Sequence, residues 1–258
     1  MARSSKQESA LSRALRVLEA FDPSSNELSL TQIATRTSMP ISTAHGIVSE
    51  LVKLGLLERR DRELILGVRL WEVAVRAPGA FGLRETALPH LEQVRDQLQQ
   101  HAQLAILQGA EVLYLERLSS AQSVVNMTAV GGRMPWYVTS SGMILVADTH
   151  PEEQEKILAE PRPRFRTEPP SSTKELIGLL AQARRDGYAV TRGYLHPDAT
   201  AVAAPIKGPY RQTVASLSVV VPTEGFQLRP VLEVLLPATQ AVSSQLAKSF
   251  LGQPDSAV

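Results

Sequence analysis

The sequence predicts an α+β fold in two parts: helices and a hairpin near the N-terminus, then helices packed on one sheet. Two observations support this prediction. Apolar residues recur at helical spacing through residues 9–52 and are followed by a short hairpin pattern at 56–66. From residue 103 onward, short apolar strands alternate with amphipathic helices. A chain of 258 residues is long enough to form two separate cores.

The composition excludes several classes of protein. The 27 Lys and Arg residues balance the 26 Asp and Glu residues, and there is no cysteine. Disulfides and thiolate metal sites are therefore excluded, and a reducing compartment is compatible with the sequence. No apolar run could span a bilayer, and the N-terminus lacks the apolar centre of a signal peptide. We expect a cytoplasmic protein that does not enter a membrane.

Residues 28–51 predict two short helices joined by a tight turn. Ser29 and Gln32 fit a capping box at the start of the first helix. Pro40 separates the helices, because proline pushes the residue before it out of helical geometry. The second helix has one apolar face, and its other face carries small or hydrogen-bonding side chains: Ser42, Thr43, His45 and Ser49. This is a helix-turn-helix whose second helix has the shape to enter a DNA major groove.

Residues 56–66 contain two apolar runs around a charged turn, which predicts a hairpin, or wing, with Arg59, Arg60 and Arg62 near its tip. A charged tip alone is usually a solvated turn, but beside a helix-turn-helix we favour phosphate contact. His45 fits a surface or capping histidine as well as a residue that reads bases. Because the N-terminal part is not strongly basic, DNA affinity must come from local arginines, helix N-termini and two copies per complex.

Residues 68–82 predict a linker helix that is interrupted at Pro78-Gly79. Its apolar residues either form a dimer seam or cover the domain, and they are Leu70, Trp71, Val73 and Ala74. Readers of DNA half-sites normally have two-fold symmetry, which favours the seam.

Residues 83–258 predict one sheet flanked by helices. Strand patterns lie at 104–107, 112–115, 123–130, 189–193, 202–206 and 214–221. Helix patterns lie at 83–100, 141–148, 152–160, 173–186 and 232–251, and a surface loop at 161–172. The order is typical of an α+β sensor domain.

The sequence carries no catalytic motif such as Gly-x-Ser-x-Gly, a phosphate-binding loop or Gly-x-Gly-x-x-Gly. The histidines are scattered and lack metal-ligand spacing: His45, His90, His101, His150 and His196. We therefore predict no catalytic residue, no metal and no cofactor. The alternatives to a DNA-binding regulator are an enzyme acting on a small acid and a ligand-binding module whose winged helix contacts proteins. Ligand-dependent, sequence-specific DNA binding would separate them from the regulator.

Seven stretches together carry a resemblance to a known family. They are RALRVLE at 13–19, LTQIA at 30–34, MPISTAH at 39–45, ILG at 65–67, SGMILVA at 141–147, DGYAV at 186–190 and VAAPI at 202–206. No single stretch is specific, but in this order and spacing the chain resembles the IclR family of bacterial transcription regulators over nearly its full length.

The resemblance implies a winged helix over residues 1–67, a linker helix used in dimerisation over 68–82, and a GAF-like α/β domain over 83–258 that binds a small effector. Family members are often dimers or dimers of dimers. They repress or activate operons, frequently for the catabolism of carboxylic or aromatic acids. We therefore expect three partners: double-stranded operator DNA, a small organic acid and a second copy of the chain.

The resemblance places Ser42, Thr43 and His45 on the DNA-facing recognition helix. With the residues indicated by the helix-turn-helix and the wing themselves, the predicted DNA-binding set comprises Thr31, Gln32, Ser42, Thr43, His45, Ser49, Arg59, Arg60 and Arg62. Gly46 stands where the family usually carries arginine, which removes one DNA contact. The wing arginines are therefore expected to contribute more of the DNA affinity.

The effector pocket of the family lies between the loop before the 141–148 helix and the facing strands. Main-chain donors at Ser140, Ser141 and Gly142 suit a carboxylate, although an ordinary helix cap without a ligand gives the same pattern. The same pocket is expected to contain Met127, Trp136, Thr191, Ala201, Ser218 and Val220. This set is less polar than a pocket for very small oxoacids, which predicts a larger, partly apolar acid such as an aromatic one. Tyr194 replaces a commonly acidic residue, which argues against a metal in the pocket.

Overall fold

The computed structural model describes residues 8–22, 25–74, 76, 80–163, 169–170 and 172–251. The chain divides into two compact units, Met1–Pro78 and Gly79–Val258. Each unit contains its own apolar core, and the two are described separately. Within the described ranges, no helix combines the length and the apolar character needed to cross a bilayer.

The first unit contains the predicted helix-turn-helix. Its helices are α1 (Ala10–Leu18), α2 (Leu30–Thr37) and α3 (Ile41–Lys53). The capping box forms: the Ser29 N–H donates to Gln32 Oε1 at 2.8 Å, and the Gln32 N–H donates to Ser29 Oγ at 3.3 Å. Helix α2 ends at Ser38, whose φ of 54° lies in the left-handed region. Pro40 then precedes the first residue of α3.

The predicted wing forms from strands β2 (Leu57–Arg60) and β3 (Glu63–Leu66). A further strand, β1 (Leu28–Ser29), pairs with β3 and ties the wing to the start of α2. Two residues are too few to show strand alternation, so β1 was not predicted. Helix α1 ends at Leu18, although apolar residues at helical spacing continue to Phe21. The Phe21 N–H donates back to the Leu18 carbonyl at 3.4 Å, and this turn places Phe21 in the core.

Helix α4 (Val68–Ala74) follows the wing and corresponds to the start of the predicted linker. The Glu58 carboxylate accepts a hydrogen bond of 3.2 Å from the Val68 N–H, and the Arg69 guanidinium donates to the Leu54 carbonyl at 3.0 Å. These contacts hold the start of α4 on the first unit. The predicted interruption at residues 78–79 lies outside the described residues.

The second unit is built on one antiparallel sheet. Its strands are β4 (His101–Gln108), β5 (Glu111–Leu118), β6 (Arg133–Pro135), β7 (Ala189–Arg192), β8 (Ala199–Lys207) and β9 (Thr213–Pro222). Their order is β6-β5-β4-β9-β8-β7, so β9 lies between the early hairpin β4–β5 and the later strand β8.

Helices cover both faces of this sheet. One face carries α5 (Ala80–Leu98) and α9 (Leu228–Leu251). The other carries α6 (Ser140–Ala147), α7 (Pro151–Ala159) and α8 (Thr173–Asp186). Because both faces are covered, β9 is a nearly continuous buried run instead of an alternating one. The α+β prediction is confirmed.

The strand predicted at residues 123–130 does not form, and this prediction was wrong. The Thr128 N–H donates to Asn126 Oδ1 at 3.0 Å, and the Val124 N–H donates to Gln100 Oε1 at 3.1 Å. Side chains thus take backbone groups that a sheet would have used. Strand β6, which was not predicted, pairs with β5 in its place. Residues 119–130 form an irregular segment, called here the cavity loop.

Candidate DNA-binding surface and effector cavity

The polar face of α3 is open to solvent. Ser42 and His45 are exposed, and Thr43 and Ser49 are partly buried. The opposite face packs into the core through Ala44, Val48 and Leu51. The short side chains on the outer face would let α3 approach base edges closely in a major groove.

Thr31 and Gln32 are exposed in the first turn of α2. Gln32 Oε1 accepts hydrogen bonds of 2.8 Å from both the N–H and the hydroxyl of Ser29. Gln32 therefore offers DNA only the two hydrogens of its amide nitrogen, which suit a phosphate oxygen.

The three wing arginines are exposed but do not share one direction. Arg59 lies opposite the buried Leu64, and Arg60 lies opposite Glu63. Neighbouring strand residues point to opposite faces, so Arg59 and Arg60 diverge. Arg62 lies in the turn after Asp61, whose φ is 52°. The three arginines therefore leave the wing backbone in different directions.

Gly46 is exposed on α3, and a Cβ built there would meet nothing within 4 Å. Packing therefore does not require glycine at this position. The missing side chain at residue 46 therefore affects only the solvent-facing surface of α3.

The second unit contains a partly open cavity where the start of α6 faces the sheet and the cavity loop; its empty space, together with the solvent at its mouth, is about 450 Å³. Seven of the residues predicted for the effector pocket line it: Met127, Ser140, Ser141, Thr191, Ala201, Ser218 and Val220. The fold thus brings together residues that are up to 93 positions apart in the chain, from Met127 to Val220.

Trp136 and Gly142 lie behind this wall and not in the lining. Trp136 is 1% exposed and packs edge-on against Tyr137, with 6.1 Å between the ring centroids. A Cβ at Gly142 would lie 2.1 Å from the Trp136 carbonyl oxygen. Gly142 therefore lets α6 pass directly over the backbone of residue 136.

A directed chain of hydrogen bonds crosses the cavity wall. The Ser141 hydroxyl donates to Ser218 Oγ at 3.0 Å, and the Ser218 hydroxyl donates to Gln103 Oε1 at 3.3 Å. Gln103 Nε2 donates to the Thr128 hydroxyl, which donates to Asn126 Oδ1 at 2.9 Å. These hydrogen bonds connect α6, β9, β4 and the cavity loop, and each hydroxyl proton in the series has one defined acceptor. We call it the polar chain.

The start of α6 offers main-chain donors to the cavity. Thr139 caps the helix by accepting the Gly142 N–H at 3.0 Å, so that N–H is not free for a ligand. The N–H groups of Ser140 and Ser141 precede it in the first turn, where no intrahelical acceptor exists. Tyr114 also lines the cavity. Burial raises the pKa of its phenol to about 12, against the opposing effect of hydrogen bonds with Thr139 and Ser141. It is neutral at physiological pH.

The cavity loop is tied to the start of β4 by His101. Its Nε2 lies 2.6 Å from the Val124 carbonyl oxygen, and its Nδ1 lies 2.8 Å from Ser119 Oγ. A carbonyl can only accept, so Nε2 carries the proton. Burial lowers the pKa of His101, the hydrogen bond to Val124 opposes this, and the positive charge of Arg117 adds to the lowering.

Sequence reasoning missed several lining residues, including Gln103, Tyr114, Asn126, Thr128 and His196. A signal existed for Gln103, since a polar side chain inside an apolar strand is usually buried with a partner. No comparable signal existed for Asn126, because its segment was expected to be a strand. Tyr194, singled out for replacing an acidic residue, also lines the cavity. In the described part of the chain, no three His, Asp or Glu side chains are grouped so that they could hold a metal ion.

Comparison with known proteins agrees with this architecture. Residues 76–247 match the family described as bacterial transcriptional regulator IclR C-terminal, and residues 10–61 match the IclR helix-turn-helix domain. The Pca regulon regulatory protein of Pseudomonas putida is 27% identical over 245 residues, which cover 94% of this chain and 84% of that protein. The regulator BhcR of Paracoccus denitrificans is 31% identical over 222 residues, covering 83% and 77%.

The fold is also similar to a solved structure with a bound ligand. The crystal structure of an IclR homolog from Microbacterium hydrocarbonoxydans, complexed with 4-hydroxybenzoate, is 40% identical. The match has a TM-score of 0.86 and covers 93% of this chain and all of that one. The Pseudomonas and Paracoccus relatives are named as regulators and not as enzymes. The chain belongs to the IclR family of bacterial transcriptional regulators.

Proposed function

We propose that this regulator binds an aromatic carboxylic acid in the cavity and thereby changes its hold on operator DNA. The operon it represses or activates would serve the catabolism of that acid. The observation that carries the proposal is the composition of the lining, which combines apolar side chains with hydrogen-bonding groups and includes the first turn of α6.

The start of α6 supplies the carboxylate site. Free N–H groups and the helix dipole both favour an anion there, and the cavity opens onto them at Ser140 and Ser141. The remaining space is bordered by side chains that suit a ring, among them Val138, Leu195, Ala201 and Val220. The 4-hydroxybenzoate complex of the 40% identical homolog and the Pca regulators among the relatives support an aromatic acid.

The test is calorimetric titration of the full chain with benzoate, 4-hydroxybenzoate and acetate, followed by fluorescence anisotropy on DNA from upstream of its own and neighbouring operons. We expect an aromatic acid to bind, acetate to bind far more weakly, and the bound acid to shift the DNA titration. The acid can change the DNA affinity only to the extent that it binds one conformation of the protein more tightly than the other. DNA binding that no acid changes would contradict the proposal.

A pair of variants tests the carboxylate site within that experiment. Ser140 is the first residue of α6, a position where proline fits a helix but removes the N–H. Thr139 is already extended, as the residue before proline must be. Ser140→Pro should lower the affinity for the aromatic acid by about tenfold or more, because a hydrogen bond to a charged group is lost. Ser140→Ala keeps the N–H and should bind nearly as the unmodified protein does.

Two copies per operator would place two α3 helices in successive major grooves, with the wings on flanking phosphates. We propose a homodimer joined through α4, which leaves Val68, Trp71 and Val73 exposed in the single chain. A dimer of dimers would use the same pairing twice. The first unit lacks a strong net positive charge. Joining two copies doubles the number of phosphate contacts and so compensates for this lack.

Gly46→Arg is expected to strengthen DNA binding. Space for the side chain exists, and the family usually carries arginine there. One more phosphate contact in each copy should steepen the dependence of log K on log salt by about 2 per dimer. Gly46→Ala is the control, since it stabilises the helix by about 0.5–1 kcal/mol without adding charge. Anisotropy titrations between low and high salt measure both, and equal slopes would show that α3 lies away from the phosphates.

A further inference from the structure

The amide nitrogen of Asn126 is buried at the cavity without a hydrogen-bond partner. It is the one buried side-chain donor of the described cavity lining in this condition. A buried donor with no acceptor is costly, and native structures usually supply a partner. At the wall of a ligand cavity, the natural partner is an acceptor on the ligand.

The orientation of this amide is fixed by its other half. Asn126 Oδ1 accepts two hydrogen bonds from Thr128, from its N–H at 3.0 Å and its hydroxyl at 2.9 Å. Both lone pairs of the oxygen are therefore used. Reversing the amide would turn its NH₂ group toward the Thr128 N–H, which is also a donor.

The polar chain removes the last alternative. Gln103 Nε2 already donates to the Thr128 hydroxyl, so this hydroxyl must pass its own proton to Asn126. Asn126 can consequently offer the cavity only N–H donors. The start of α6, at the other end of the polar chain, contributes the main-chain N–H groups of Ser140 and Ser141.

From this geometry we infer that Asn126 determines the specificity of the cavity, by donating a hydrogen bond to a second oxygen of the ligand beyond its carboxylate. The ligand class is an aromatic acid with an oxygen substituent on the ring. This inference rests on the proposed function, because it takes the cavity to be the acid site.

The experiment compares ligands that differ only at the substituent. Calorimetry of the full chain measures 3- and 4-hydroxybenzoate against 3- and 4-methylbenzoate, in which a methyl group replaces the hydroxyl. We expect a preference for one hydroxy acid of about tenfold, the size of one buried hydrogen bond. Asn126→Ala should reduce that preference to about twofold or less, mainly by lowering the affinity for the hydroxy acid.

Two further variants separate the donor from the shape of the loop. Val125→Ala changes a neighbouring lining residue of the same loop and should alter both ligands equally. Asn126→Asp keeps the acceptor for Thr128 and removes the donor. It is measured with 4-methoxybenzoate and 4-ethylbenzoate, because a methoxy oxygen can only accept, and the preference for the methoxy acid should be lost.

The outcomes distinguish the two levels of the argument. Aromatic acids that still bind, with an unchanged hydroxyl preference in Asn126→Ala and an unchanged methoxy preference in Asn126→Asp, would overturn the role of Asn126 and leave the acid site intact. Failure of every aromatic acid to bind the unmodified protein would overturn the proposed function, and this inference with it.

Discussion

Gly142→Ala is expected to lower the free energy of unfolding of the second unit by about 3 kcal/mol, at the upper end of overpacking costs. The new Cβ would lie 2.1 Å from the Trp136 carbonyl oxygen and 2.4 Å from its Cα. Both are backbone atoms, so no rotamer change can relieve the contact. Either α6 or the turn at residues 136–138 must move, and both belong to the core.

Calorimetric unfolding of the full chain measures this effect on the transition of the second unit. Gly178→Ala is the matched control, because residue 178 lies in the interior of α8 with nothing within 4 Å of a built Cβ. That variant should be stabilised by about 0.5–1 kcal/mol. Equal effects of the two substitutions would show that α6 does not need its close approach to residue 136.

Trp71→Glu is expected to dissociate the proposed dimer and to lower operator affinity by about a hundredfold. Trp71 is 63% exposed, and Val68, one helical turn before it, is 62% exposed. A tryptophan at the centre of an interface typically contributes at least about 2 kcal/mol, and a carboxylate in its place adds desolvation of a charge. A monomer would engage one half-site only, with half of the phosphate contacts.

Sedimentation at several protein concentrations measures the association of this variant, and anisotropy measures its DNA affinity. Glu72→Gln alters an exposed residue next to Trp71 and should change neither. An unmodified protein that is monomeric at micromolar concentration, or a Trp71→Glu variant that remains a dimer, would assign the dimer contact elsewhere.

The local signals in the sequence predicted most elements of the fold. The capping box of Ser29 and Gln32, the break at Pro40 and the charged turn of the wing act over a few residues, so their effect is visible in the sequence itself. The order of the sheet is different. Gln103 and Ser218 are 115 positions apart and meet because β4 pairs with β9. Such pairing leaves no trace in the periodicity of either strand.

The candidate cavity shows the same division. The resemblance to the family indicated seven lining residues by position, but position does not give the direction of a side chain. Trp136 was assigned to the pocket, whereas its large apolar surface is buried in the core. Asn126 was missed because β-branched neighbours suggested a strand. The local hydrogen bond from Thr128 to Asn126 and the longer-range one from Val124 to Gln100 outweighed that tendency.

The cross-strand pair of Ala201 and Val220 bears on how this cavity can evolve. Neither side chain can form hydrogen bonds. A replacement there changes the space available to a ligand and leaves no neighbouring group without its hydrogen-bond partner. A replacement at Gln103 or Ser218 breaks the polar chain and leaves a neighbour unsatisfied. Descendants of this protein can therefore gain new effectors by single changes at the apolar pair, while the polar chain is inherited as a unit.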